Sequence, residues 1–242
     1  MLKKLTFILS LTIALGISGL AQETTVETKT ESQPVKTNQR PDKPEKPKEP
    51  FDGATIAEMV SKCVTLETEK GNIALEFYPE SAPETVRNFL NLAATKALDT
   101  TSFSRVVPGF VIQGGNLWTS QNLTDALKWR AAERLPDEPN QILHEKGIIS
   151  MARRDFPDSA TTNFFILLRS ASTLDKTFAA FGRVTTGIEV VEAINQMPVD
   201  DETPKDPVRI KTAIVQPCVQ TNEEKKEVKS GVNAVPEKTE DQ

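Results

Sequence analysis

Between Phe103 and Val215 the apolar residues come only in short clusters: Phe103–Val107, Gly109–Ile112, Gly147–Met151, Phe164–Leu168, Phe178–Val184 and Val208–Val215, separated by Gly, Pro or polar stretches. Clusters this short have the length of strands rather than of core helices. Upstream, Cys63–Thr68 and Ile73–Phe77 alternate apolar and polar residues around Glu69-Lys70-Gly71-Asn72, a hairpin signal. Helical spacing occurs twice. One case opens at Pro83 and carries Val86, Phe89, Leu90, Ala93, Ala94 and Ala97; the other is Ile188–Ile194. Many short strands with a helix near each end predict a mostly β domain, a β-barrel with helical plugs.

The ends read differently. Met1-Leu2-Lys3-Lys4, an uncharged apolar run from Leu5 to Ala21 and the small residues Gly19 and Ala21 form the pattern of a signal peptide over residues 1–21. The alternative, an uncleaved membrane anchor, has to span about 30 Å of hydrocarbon with a run interrupted by Ser, Thr and Gly. Residues 22–52 hold no aromatic residue before Phe51 and repeat Pro, Lys and Glu. Such a segment buries too little apolar area to offset its ordering entropy and reads as a solvated spacer. Residues 221–242, with four Lys and six Asp/Glu, read the same way. Residues 53–220 remain for one folded domain.

Composition removes several classes. A single His excludes a His-rich metal site and argues against Ser/His/Asp or Cys/His catalysis, and two Cys are too few for a Cys₄ zinc site. With 29 basic and 34 acidic residues the formal charge is −5, which gives no electrostatic case for binding nucleic acid.

The most informative stretch is Phe103-Ser104-Arg105-Val106-Val107-Pro108-Gly109-Phe110-Val111-Ile112-Gln113-Gly114-Gly115. An Arg in a strand pattern is ordinarily solvent-facing, because a buried charge needs partners. Two further stretches are Gly147-Ile148-Ile149-Ser150-Met151-Ala152-Arg153, leading through Asp158-Ser159-Ala160-Thr161-Thr162-Asn163 to Phe164-Phe165-Ile166, and Leu174-Asp175 followed by Phe178–Val184. Each alone reads as ordinary core.

In this order and spacing, from Val64 to Val215, the stretches resemble the cyclophilin family of peptidyl-prolyl cis/trans isomerases; Met-Ala-Arg with Asp-Ser-Ala-Thr is similar to its bacterial branch, and the signal-peptide pattern makes the exported branch the expectation. The resemblance implies a closed eight-stranded antiparallel barrel capped by two helices, with a substrate groove on its outer surface. It implies catalytic roles for Arg105, Phe110 and Gln113, and substrate contacts from Val111, Ala152, Arg153, Asn163, Phe165, Leu174 and Phe178. It requires no cofactor and no metal. The implied partners are proline-containing segments of unfolded or partly folded proteins, bound by an exported (periplasmic or extracellular) monomer that meets a membrane only if its first segment is uncleaved. The alternative is a proline-peptide binding module with little or no turnover.

The departures from the family pattern concern the groove. Asn163 stands where Gln is common, Thr173 where Trp is frequent, Phe178 in place of His or Tyr, and Val111 in place of Met. The expectation is a groove of altered shape, poorer in donors. The resemblance also brings the first and last strands together, so that export makes a Cys63–Cys218 disulfide the expectation, with two buried thiols as the alternative. His144 reads as a surface loop residue.

Overall fold

The computed structural model describes residues 47–218. The expectations for residues 1–21 and 221–242, and for most of the spacer, fall outside them.

The hairpin forms as the alternation predicts. β1 (Lys62–Thr68) turns Val64 and Leu66 inward, β2 (Gly71–Phe77) turns Ile73, Leu75 and Phe77 inward, and Thr68 pairs with Gly71 across the two-residue turn. In chain order the remaining elements are α2 (Pro83–Ala94), β3 (Arg105–Val107), β4 (Val111–Gly114), α3 (Asp125–Ala131), β5 (Ile148–Met151), β6 (Phe164–Leu167), β7 (Ala180–Thr186), α4 (Ile188–Asn195), β8 (Val199–Asp200), β9 (Thr203–Pro204) and β10 (Ile210–Pro217), with the short α1 (Ile56–Val60) preceding β1. Eight strands form one curled antiparallel sheet in the order β10-β1-β2-β7-β5-β6-β4-β3, while β8 and β9 pair as a separate hairpin. Among the described residues the seam between β3 and β10 is spanned by an isolated Ser102–Arg209 bridge and by Phe103 N–H donating to Val208 O at 3.0 Å, not by a strand ladder.

Four α-helical segments, rather than the two expected, lie among the described residues. α2 packs Val86, Phe89, Leu90 and Ala93 into the core, where Phe89 meets Phe77, Phe164 and Phe181 at ring-centroid distances of 5.2–5.4 Å. Its N-cap, Ala82, has no side-chain acceptor; the carboxylate of Glu138 takes the Glu84 and Thr85 amides instead, at 2.9 and 2.8 Å. α3 buries no residue fully; only Leu127 and Ala131 pack in part on the core, too short an apolar pattern for a sequence reading to find.

The folded part begins before residue 53. Glu49 is buried against Arg130, whose Nε donates to Oε1 at 2.8 Å, and the Phe51 amide donates to Asn91 Oδ1 at 2.7 Å. Residues 49–52 therefore pack on α2 and α3, which corrects their assignment to the spacer. Apolar poverty does not decide there, because a buried ion pair and hydrogen bonds hold them. At the other end Cys218 is joined to Cys63 by a disulfide, next to the Lys62–Pro217 pair of β1 and β10.

Candidate active site

Strand register lines up the site. Arg105 on β3 pairs with Gln113 on β4, Gln113 with Phe165 on β6, and Phe165 with Ser150 on β5. Directly paired residues point to the same face. This row therefore lies on the side of the sheet opposite Ile112, Phe164 and Ile166, which fill the core. Two residues along β4, Val111 pairs with Leu167 and extends the same outer apolar layer, to which Phe110, Leu174 and Phe178 add their rings and methyls.

The result is a cleft of about 190 Å³ lined by Arg105, Phe110, Val111, Gln113, Ala152, Arg153, Phe165, Leu174 and Phe178. Of the groove positions named from the sequence, Asn163 and Thr173 fall outside it. Asn163 lines an adjoining cleft of about 480 Å³ that shares Gln113, Ala152 and Arg153 with the first and also takes in Arg134 and Arg154.

Each wall is held from behind. The β3–β4 turn carrying Phe110 is pinned by buried Asn195 at the end of α4. Its Oδ1 accepts from Gly109 N–H at 2.7 Å and its Nδ2 donates to Val107 O and Val111 O at 2.9 and 3.1 Å. The Arg169 guanidinium stacks on Phe110 at 4.5 Å. After β4, Gly115 has φ +79°, and a Cβ there would collide with Thr162 O; the motif needs Gly at that position. Arg105 donates from Nε to Glu202 Oε2 at 2.7 Å and approaches Gln113 Oε1 with Nη1 at 3.4 Å. Phe178 lies edge-on to Phe165 and beneath the Arg153 guanidinium.

The loop bearing Leu174 and Phe178 is tied down by His144, which is 1% exposed rather than at the surface. Its backbone N–H donates to Asp175 Oδ1 at 2.7 Å, its Nδ1 lies 3.1 Å from the same oxygen, and its Nε2 lies 3.1 Å from Ser150 Oγ. Burial lowers the imidazole pKa below its ordinary value, against the opposing pull of the Asp175 carboxylate. The backbone hydrogen bond from His144 lowers the Asp175 carboxyl in turn. Asp, His and Ser are in line, but Ser150 is fully buried and its hydroxyl donates to Ala179 O at 2.9 Å, so the trio has no access to substrate and acts as a brace.

The family model for cyclophilin-type peptidyl-prolyl cis-trans isomerases matches residues 63–215, which reach into every strand of the sheet. The chain belongs to that family. It is 35% identical over 162 residues to a peptidyl-prolyl cis-trans isomerase of Acinetobacter baylyi, covering 63% of this chain and 84% of that one. It is 36% identical over 141 residues to the peptidyl-prolyl cis-trans isomerase-like 3 of Dictyostelium discoideum, covering 57% and 85%. Among solved structures, a cyclophilin-type isomerase of Cryptosporidium parvum superposes with a TM-score of 0.58 at 26% identity, over 65% of this chain and 99% of that one; it has also been solved in the presence of the dipeptide Ala-Pro. This cyclophilin is thus a peptidyl-prolyl cis-trans isomerase, with a curled eight-stranded antiparallel sheet as its scaffold.

Glu202, His144, Asn195 and Arg134 join the site without a sequence signal that assigns them to it. Glu202 lies 97 residues from Arg105 in the chain and reaches it only through the β8–β9 hairpin, so no local pattern marks it. His144 stands out as the one imidazole of the chain, but nothing beside it in sequence reveals Asp175 or Ser150.

Proposed function

We propose that this cyclophilin accelerates X–Pro isomerisation in unfolded or partly folded segments of exported proteins, with Arg105 as the catalytic group. The observation that carries the reading is the convergence of one guanidinium and an apolar cup, Phe110, Val111, Phe165 and Leu174, on a single cleft. Rotation about an X–Pro bond is slow because the nitrogen lone pair is delocalised into the carbonyl, a barrier of about 20 kcal/mol. A donor aimed at the prolyl nitrogen favours the pyramidal, deconjugated nitrogen of the twisted state. Arg stays ionised at working pH, so the donor is always present. The cup anchors the ring while the amide turns, and Gln113 hydrogen-bonds the substrate backbone or steadies Arg105. An acceleration of about 10⁴-fold asks for about 5.5 kcal/mol of such selective stabilisation, which preorganised electrostatics and binding can supply.

Membership of a bacterial exported branch is part of the proposal. Its supports are the cationic and apolar start of the chain and the Cys63–Cys218 disulfide, a bond that persists in oxidising compartments. Exchange NMR on short X–Pro peptides tests the enzymatic reading. Wild-type protein should broaden or exchange the cis and trans signals, and Arg105→Ala should abolish the effect while the peptide still binds. Binding with no exchange in the wild-type protein would make this a proline-peptide binding module.

A further inference from the structure

The tip of the β8–β9 hairpin breaks a local rule. Asp200 pairs with Thr203, leaving Asp201-Glu202 as a two-residue loop in which both residues have positive φ, +45° and +66°. That is the condition of a type I′ turn, which Asn-Gly satisfies with little strain and which Asp-Glu does not. A strained pair held in a tight turn is stable only where the surroundings compensate.

The compensation visible here is directed at Arg105. The backbone of Glu202 is fixed to the strand carrying it, since Val106 N–H donates to Glu202 O at 2.8 Å. Its side chain then meets Arg105 Nε at 2.7 Å. The two side chains are 45% and 43% exposed, and an ion pair that exposed adds little to stability. What it does provide is geometry. A half-exposed Arg has many rotamers, and an acceptor on Nε removes most of them, leaving the Nη edge directed toward Gln113 and the cleft.

We infer that Glu202 is a positioning residue that holds the Arg105 guanidinium toward the cleft, and that the strained Asp201-Glu202 turn is kept for this purpose. The inference rests on the reading of Arg105 as the catalytic group. Glu202 need not touch substrate, so its effect falls on turnover and not on peptide affinity.

Substitutions at the turn and one spectroscopic signature test it. Glu202→Ala should lower kcat/KM about tenfold with the peptide Kd unchanged within about twofold, and Glu202→Gln, which keeps an acceptor, should recover most of the loss. The double substitution Asp201→Asn with Glu202→Gly installs the favoured turn. It should raise the Tm or leave it unchanged while lowering kcat/KM as Glu202→Ala does. A merely structural role predicts the opposite, full activity on a more stable hairpin. In ¹⁵N spectra the Arg105 Nε–H should be a sharp, slowly exchanging signal in the wild-type protein and should be lost in Glu202→Ala and in the double variant. Wild-type kcat/KM in either of those two variants, or no protected Nε–H in the wild-type protein, overturns the inference. If Arg105→Ala turns over peptides at the wild-type rate, the reading of Arg105 fails instead, and the Nε–H signal still reports whether Glu202 holds it.

Discussion

His144 is buried with its Nδ1 3.1 Å from Asp175 Oδ1, and through that contact one strap of backbone presents both Leu174 and Phe178 to the cleft. No second imidazole exists in the chain to take over its role. Replacing His144 with Ala should leave Ser150 and the strap short of partners, at a cost of about 1–3 kcal/mol. The loss should appear as a lower urea midpoint, and peptide affinity should fall along with turnover because two walls of the cup loosen. An unchanged midpoint with unchanged affinity would mean that the strap holds its shape without the imidazole.

The same residue sets a pH dependence whose sign is fixed by burial. The folded-state pKa of His144 is lowered, so between that value and the unfolded value of about 6.5 the unfolded chain binds more protons than the folded one. Stability should therefore fall as pH drops below about 6.5. Asp175, also lowered, stabilises above its unfolded value of about 3.9 and loses that contribution as pH falls through its folded pKa, a separate and more acidic window. Urea midpoints measured between about pH 5 and 7.5 should slope upward with pH in the wild-type protein and flatten in His144→Gln. A slope of equal size in that variant would remove His144 as its source.

The Cys63–Cys218 disulfide closes a loop with a sequence separation of 155, across strands that are already paired. On the chain-entropy account such a closure stabilises by up to about 5 kcal/mol. Unfolding in urea with and without a reductant should show the reduced protein markedly less stable, with far-ultraviolet dichroism retained at zero denaturant. Equal midpoints would mean that the β1–β10 ladder alone fixes the ends.

How much of this is legible in the sequence differs by element, for physical reasons. The strands are, because alternation marks a half-buried strand; so are α2 and α4, because one face of each is apolar. The cleft residues Arg105, Phe110, Gln113 and Phe165 are legible only through the resemblance, since each in isolation reads as core or surface. α3 is invisible because in its seven residues only Leu127 and Ala131 pack on the core, and they only in part, and the packing of Glu49 because its partner Arg130 lies 81 residues away. Asn163 too reads as a groove contact only through the resemblance; the register puts Gln113 opposite Phe165 and leaves Asn163 to the adjoining cleft.

The Glu49–Arg130 pair makes its own prediction. Both side chains are nearly buried, 8% and 10% exposed, and Arg130 also reaches Asn88 Oδ1 at 2.6 Å. Glu133 Oε2 also lies 3.5 Å from Arg130 Nη1, so removing Glu49 takes away one charge-assisted partner of a half-compensated guanidinium rather than its whole counter-charge. A chain trimmed to begin at Gly53 should be less stable than one beginning at Lys46 or earlier, by about 1.5–3 kcal/mol, and limited proteolysis of the full chain should stop short of Glu49. Fragments that begin at or after Gly53 with undiminished stability would return residues 49–52 to the spacer.

The adjoining cleft shapes which peptides should bind best. Arg134, Arg153 and Arg154 line it, and among the described residues that do so there is no Asp or Glu. Arg134 lies over Phe156 at 5.3 Å and Arg153 over Phe178 at 4.9 Å; the Nη atoms of Arg153 also donate to Arg154 O and Thr177 O, so its place in the cleft is fixed while its charge still faces the lining. The clefts share Gln113, Ala152 and Arg153, and an extended peptide advances about 3.3 Å per residue, so a side chain two or three positions from the proline falls beside these arginines. Peptides with Glu there should bind about tenfold more tightly than the same peptides with Lys, and the preference should shrink as salt screens the field. Exchanging Arg134 and Arg154 together for Gln should reduce the preference to what Arg153 alone supplies, while a Gln-containing peptide is bound as before. If Glu and Lys peptides bind the wild-type protein equally at low salt, these arginines take no part in substrate selection.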